Sequence, residues 1–236
     1  LGKNEEAYKY YSFALEKEPN NISYYINTKL KLSRIMMDIS QIDTERKNYQ
    51  KQLKKIKNNK NIYYKKDKIF NTNMFYLPYH NYSDDKVILE ELSNTLSNVK
   101  GMVDDNLTIN KIPSSKSNSK RIKLGICSEF LSDNHVIGKM YLNVLLDLLK
   151  TDLEITIYIP PGARNNPGQA ILRNSFKRVI DLTNSPIKAR KIILDDNLDI
   201  LFYPDIGMSN YTYILALSRL ALVQVSSLGH TNTSGI

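Results

Sequence analysis

The sequence predicts an α-helical N-terminal region followed by an α/β lobe built around a parallel sheet. Two observations carry that reading. Apolar residues recur at helical spacing through the first part of the chain, and a proline closes the first helix. After Lys120 the pattern changes, and five short β-rich runs alternate with helix-like segments, the order that gives parallel strands with helices on both faces. Between the two lies NKIPSSKSNSK (110–120), polar and carrying Pro and Ser, which reads as a linker. The expected segments are therefore a helical end of a repeat region over 1–57, a helical connecting region with linker over 58–119, and the α/β lobe over 120–236.

Each element has its own reason. In residues 1–19, Ala7, Tyr11 and Ala14 share a helical face, Glu5 and Glu6 sit where acidic groups favour a helix start, and Pro19 stops the helix. The order Gly2, Ala7, Tyr11, Ala14, Pro19 resembles the second helix of a tetratricopeptide repeat. Half a repeat cannot bury its apolar face alone, so the protein is expected to continue upstream. Ile26, Leu30, Ile35 and Met36 predict a helix over 22–40, and the very basic TERKNYQKQLKKIK another over 44–57, with Thr44 as its cap. The lysines of that helix read as a solvated face. Val87, Leu89, Leu92 and Leu96 predict a helix over 86–100, capped by Asp84 or Asp85. The predicted strands are RIKLGIC (121–127), EITIYIP (154–160), KRVIDL (177–182), DILFYPD (199–205) and LVQVSSL (222–228), with helices over 136–150, 168–176, 186–196 and 210–220. Together they make a Rossmann-like lobe.

Charge and composition narrow the classes. The net charge of +9 admits nucleic acid or an anionic surface as a partner. The cations, however, concentrate in one stretch rather than in a recognisable nucleic-acid motif, and the joint abundance of Lys, Asn, Ile and Tyr is what AT-rich codons produce. No apolar run approaches the roughly 20 residues of a membrane span. The one cysteine, Cys127, excludes an internal disulfide and a cysteine-based zinc site, suits a reducing cytoplasm, and reads as a small core residue on a strand.

An open parallel sheet binds ligands beyond the carboxyl ends of its strands. Three loops reach that edge: SEFLSDNHVIG after the first strand, IGMSN after the fourth, and GHTNTSGI after the fifth. Gly207, Gly229 and Gly235 let the backbone turn sharply or approach a ligand. His135 opens the first helix of the lobe behind Asp133 and Asn134, either of which suits the cap. An imidazole there can exchange a proton or hydrogen-bond a sugar hydroxyl. No Gly-x-Gly-x-x-Gly, P-loop, serine-hydrolase elbow or metal-ligand spacing is present.

The closing stretch YPDIGMSNYTYILALSRLALVQVSSLGHTNTSGI (203–236) resembles the bacterial O-GlcNAc transferase and SPINDLY-like family, whose strand Tyr-Pro-Asp-Ile-Gly-Met precedes Ala-x-x-Arg-Leu-Ala-Pro-x-Gln and Gly-His-Pro-x-Thr-Ser-Gly. Arg219, Ala221 and Gln224 fit the middle motif, and Gly229, His230, Thr233, Ser234 and Gly235 the last. KLGICSEFLSDNHVIGKM is similar to the family's loop of Gly, Ser and Phe followed by a His, and FYLPYHNYSDDK (75–86) to a segment between repeats and catalytic core. The resemblance implies a two-lobed GT-B glycosyltransferase. It moves N-acetylglucosamine from UDP-GlcNAc to Ser or Thr of a protein acceptor with inversion and no metal or other cofactor, the repeats selecting the acceptor.

On this sequence the resemblance implies His135 as the catalytic histidine, and Asn134, Gly207, Gly229, His230, Thr233, Ser234 and Gly235 as substrate-binding. Leu222 and Thr231 stand where the family has prolines. The donor is expected to sit mainly in a second lobe beyond Ile236, so the 236 residues alone are expected to be inactive. SPINDLY-like relatives use GDP-fucose, which leaves the sugar open. The alternatives are a non-catalytic repeat-containing scaffold for protein interaction and a nucleic-acid binder acting through residues 46–68.

Overall fold

The computed structural model describes residues 4–65, 69–80, 84–109, 121–163, 168–227, 229 and 233–236. It divides into two compact units, Leu1–Val103 with Thr231–Ile236, and Asp104–His230. The division falls between Val103 and Asp104, ahead of the 110–120 linker, which lies outside the described residues. The short 3-10 turn Asp105–Leu107 and Ile109 already belong to the second unit, where the Ile109 amide donates to the Arg219 carbonyl at 2.7 Å.

The first unit is helical. α1 (Asn4–Lys17) packs on α2 (Ile22–Lys29), and α3 (Ile39–Asn58) on α4 (Lys86–Ser97). The helix expected over 22–40 ends at Lys29. Ile26 and Leu30 are fully buried, but Ile35 is 77% exposed, so the helical spacing of apolar residues breaks off there and 31–38 forms a loop instead. The next helix starts five residues earlier than its expected cap. Asp38 is the N-cap, accepting from the Gln41 amide at 2.8 Å, and Thr44 lies inside the helix with its hydroxyl donating to the Ser40 carbonyl. At α4 the Lys86 amide donates to Asp84 at 2.8 Å, while Asp85 pairs with Arg46 at 2.6 Å in a nearly water-free setting. Buried Ile22, Tyr49, Leu53, Leu77, Leu89 and Leu92 form the core, with the Tyr49 hydroxyl donating to the Thr72 carbonyl.

The second unit holds a five-stranded parallel sheet in the order β3-β2-β1-β4-β5: β1 (Lys123–Cys127), β2 (Glu154–Ile159), β3 (Arg178–Asp181), β4 (Leu198–Tyr203) and β5 (Ala221–Ser226). Every expected strand is present. Parallel strands read as continuous apolar runs because both faces are covered, and β1 and β2 are buried almost throughout. α5 (Val136–Leu148), α6 (Gln169–Ser175), α7 (Pro186–Asp195) and α8 (Asn210–Ala216) follow the strands in turn. Ile137, Leu145, Leu172 and Phe176 pack against Ile126, Ile157 and Ile159. Cys127 is buried, and burial pushes its thiol well up from the usual range. The chain reverses between β1 and β4, so the crevice of the fold opens there. Among the described residues no helix is long and apolar enough to cross a membrane.

Candidate functional site

The loops after β1 and β4 meet because their strands are neighbours. A buried carboxylate ties them together. Asp205, with no exposed surface, accepts from the Glu129 amide at 2.7 Å and from the Ser128 hydroxyl at 3.1 Å. The Ser128 hydroxyl in turn accepts from the Phe130 amide at 3.1 Å. Across the same junction Ser209, the N-cap of α8, donates its hydroxyl to the half-buried Glu129 carboxylate at 2.6 Å. Burial pushes the Asp205 carboxyl up to about 7, against the pull of the Glu129 amide and the Thr212 and Ser128 hydroxyls. Asp205 is thus the floor of the crevice and fixes its walls, while Glu129 lies nearer its surface.

The third loop joins the same edge. A Cβ at Gly229 would lie 2.1 Å from the Pro204 carbonyl oxygen, so only glycine permits this approach. The Gly229 amide donates to the Ser227 carbonyl at 2.8 Å, and the Ser227 and Tyr141 hydroxyls share a hydrogen bond of 2.5 Å, which couples the end of β5 to α5. Gly207 turns the β4 loop in the left-handed region, at φ 95°.

His135 is itself the N-cap of α5, in place of Asp133 or Asn134, which stay exposed in the preceding turn. Its Nδ1 accepts from the Ile137 amide at 3.2 Å, and its ring stacks on Phe130 with centroids 4.5 Å apart and planes 17° apart. Burial lowers its pKa below the ordinary imidazole value, so the ring is neutral at pH 7. A neutral imidazole with Nδ1 accepting carries its proton on Nε2. His135 therefore presents an N–H donor, not a lone pair, as its distal group. Gly138 and Gly168 clamp the loop that carries it: a Cβ on Gly138 would lie 1.7 Å from the Ser132 oxygen, and one on Gly168 2.5 Å from the Ser132 Cα.

The structure thus gathers His135, Asn134, Gly207 and Gly229 in the loops of the second unit. Thr233, Ser234 and Gly235 belong to the first unit. There Gly235, at φ 75°, lies against the Leu89 backbone, and its carbonyl accepts from the Ser93 hydroxyl. The Thr233 and Ser234 hydroxyls accept from the Gly235 and Ile236 amides at 3.2 and 3.3 Å. His230 and Thr231 lie outside the described residues. Reasoning from the sequence placed Ser128, Glu129 and Ser209 only within the loops at this edge and did not single out Asp205 or Tyr141; Asp205 lies two residues past β4 and Tyr141 six residues beyond the His135 cap. Among the described residues, no group of three or more His, Cys, Asp or Glu is arranged to hold a metal ion.

No protein-family model and no curated protein matches the sequence. Among solved structures, a mutant form of the Thermobaculum terrenum O-GlcNAc transferase is similar over the whole of this chain, at 16% identity and a TM-score of 0.58. The chain spans 42% of that protein's length. At this identity the likeness concerns the fold, which is glycosyltransferase-like.

Proposed function

We propose that this chain is part of a GT-B glycosyltransferase and supplies the acceptor-side wall of its cleft. The observation that carries the reading is the convergence of three loops at the carboxyl edge of β1, β4 and β5, with His135 held there by its own helix cap. The glycosyltransferase-like fold supports it, as do the motifs of residues 203–236. The transfer is of N-acetylglucosamine from UDP-GlcNAc to a Ser or Thr hydroxyl of a protein. The hydroxyl oxygen bonds to the anomeric carbon, the bond from that carbon to the phosphate oxygen breaks, and the hydroxyl proton passes to a base.

In its capped state His135 has no free lone pair for that proton. Its part is to donate Nε2–H to an oxygen of the sugar or acceptor, fixing orientation at the reacting centre. Asp205 acts beneath it as a positioning residue. The test is an assay of the protein in its natural extent with UDP-GlcNAc or GDP-fucose and protein acceptors, read as the mass added per acceptor. Addition of one N-acetylhexosamine, lost in His135→Asn, supports the reading. Fucose addition moves the donor assignment, and transfer of neither sugar sinks the proposal in favour of an interaction scaffold.

A further inference from the structure

We infer that the groove of the helical unit lined by Tyr8, Tyr11, Lys31, Arg34, Ile35 and Tyr76 binds an acidic segment of a partner protein, one that carries an apolar side chain among its carboxylates. This does not depend on the transferase reading.

The groove encloses about 510 Å³, against about 260 and 250 Å³ for two further cavities among the described residues. Its charge is one-sided, because Lys31 and Arg34 line it and, among the described residues, no carboxylate does. Both cations rest on aromatic faces rather than on acids. The Lys31 ammonium lies 3.1 Å from the Tyr8 ring centroid, and the Arg34 guanidinium 5.6 Å from that of Tyr76. Among the described residues neither enters an ion pair. A ring face holds a cation in place without consuming its N–H donors, so both remain able to bind a carboxylate. Partial burial lowers the Lys31 pKa, with Tyr8 acting against it and Lys29 adding to it.

The loop that carries these cations is held in advance. Glu45 of α3 accepts from the Ser33 amide at 2.7 Å and from the Ser33 hydroxyl at 2.5 Å, and Gln41 donates to the same carboxylate at 2.9 Å. That carboxylate is committed to the backbone of the loop. At the edge Ile35 is 77% exposed, an apolar contact beside the two cations. A nucleic acid fits less well. A phosphate chain needs a row of cations, yet the lysines of α3 line none of this groove.

The experiment measures anisotropy of a short fluorescein-labelled Glu/Asp-rich peptide containing one Phe, with its Gln/Asn counterpart and a thymidine oligonucleotide as comparisons. The acidic peptide is expected to bind at least about tenfold more tightly than the neutral one. Lys31→Gln with Arg34→Gln is expected to remove that preference, while Lys51→Gln with Lys54→Gln on the exposed face of α3 leaves it unchanged. As a readout independent of variants, unlabelled acidic peptide is expected to protect Lys31 from acetylation by a lysine-reactive ester and to leave Lys51 reactive. The inference is overturned by equal binding of the two peptides, by equal losses in the two variants, by no protection of Lys31, or by oligonucleotide binding that outcompetes the peptide and follows the α3 lysines.

Discussion

At the scale of single residues, His135 carries two duties that substitution can separate. Its Nδ1 caps α5, and its Nε2 faces outward as a donor. An asparagine places its side-chain oxygen near the Nδ1 position and has nothing at Nε2. His135→Asn is therefore expected to keep stability within about 0.5 kcal/mol of the parent yet abolish transfer. His135→Ala also loses the cap, at a cost of about 1 kcal/mol. Urea unfolding beside the transfer assay distinguishes the two, and equal destabilisation by both variants would contradict the capping geometry. The histidine was visible in the sequence as the residue opening a helix at the edge of a sheet. Its capping role was hidden, because Asp133 and Asn134 are the side chains that usually take such a position. The Ser128–Asp205 hydrogen bond was hidden for another reason: it joins residues 77 positions apart, and no local pattern encodes that pairing.

At the scale of elements, the strands and the first three helices of the α/β lobe were legible, whereas the boundaries of α2 and α3 and the end of α8 were not. A strand buried on both faces leaves a mostly apolar run, as in EITIYIP with only Thr156 polar in its interior, and the five runs were found within a residue or two of their ends. Helical spacing alone could not show that Ile35 faces water, nor that Asp38 begins the next helix. The cap gives a direct check. Asp38→Ala is expected to cost about 1 kcal/mol, whereas Thr44→Ala, whose exposed hydroxyl only bonds back to Ser40, stays within about 0.5 kcal/mol. Chemical denaturation with helix-sensitive circular dichroism reads both, and the reverse order would restore the cap to Thr44. In the α/β unit, Gly138 is the tightest junction between α5 and its incoming loop. Gly138→Ala sets a methyl against the Ser132 backbone and is expected to cost about 1–3 kcal/mol. Because that loop carries His135, transfer is expected to weaken in the same variant, which the assay of the protein in its natural extent measures on the folded fraction.

At the scale of the whole molecule, the two units carry titrations of opposite sign. In the α/β unit the Asp205 carboxyl, buried in the fold, titrates at about 7, far above its unfolded value of roughly 3.9. Between those values the folded state binds the extra proton, so this group's contribution to stability grows as the pH falls from 7 towards 4 and is lost as it rises through 7. In the helical unit His80 is 5% exposed, and neither ring nitrogen has a hydrogen-bond partner among the described residues. Burial, followed by the charge of Arg46, lowers its pKa, with Glu45 and Asp85 acting in the other direction. The unfolded imidazole then binds the extra proton below about 6.5, so stability from this group is lost on acidification through that point. His135 contributes with the sign of His80 inside the α/β unit, so variants rather than raw pH curves must separate the terms. Asp205→Asn is expected to remove the gain of the α/β unit between pH 7 and 5, and His80→Leu to remove the loss of the helical unit over the same range. Hydrogen exchange, corrected for the intrinsic pH dependence of amide exchange, resolves β1 and β4 from α3 and α4 within one sample. Parallel pH responses of the two sets of amides, unchanged by either substitution, would show that neither buried group titrates as its surroundings dictate.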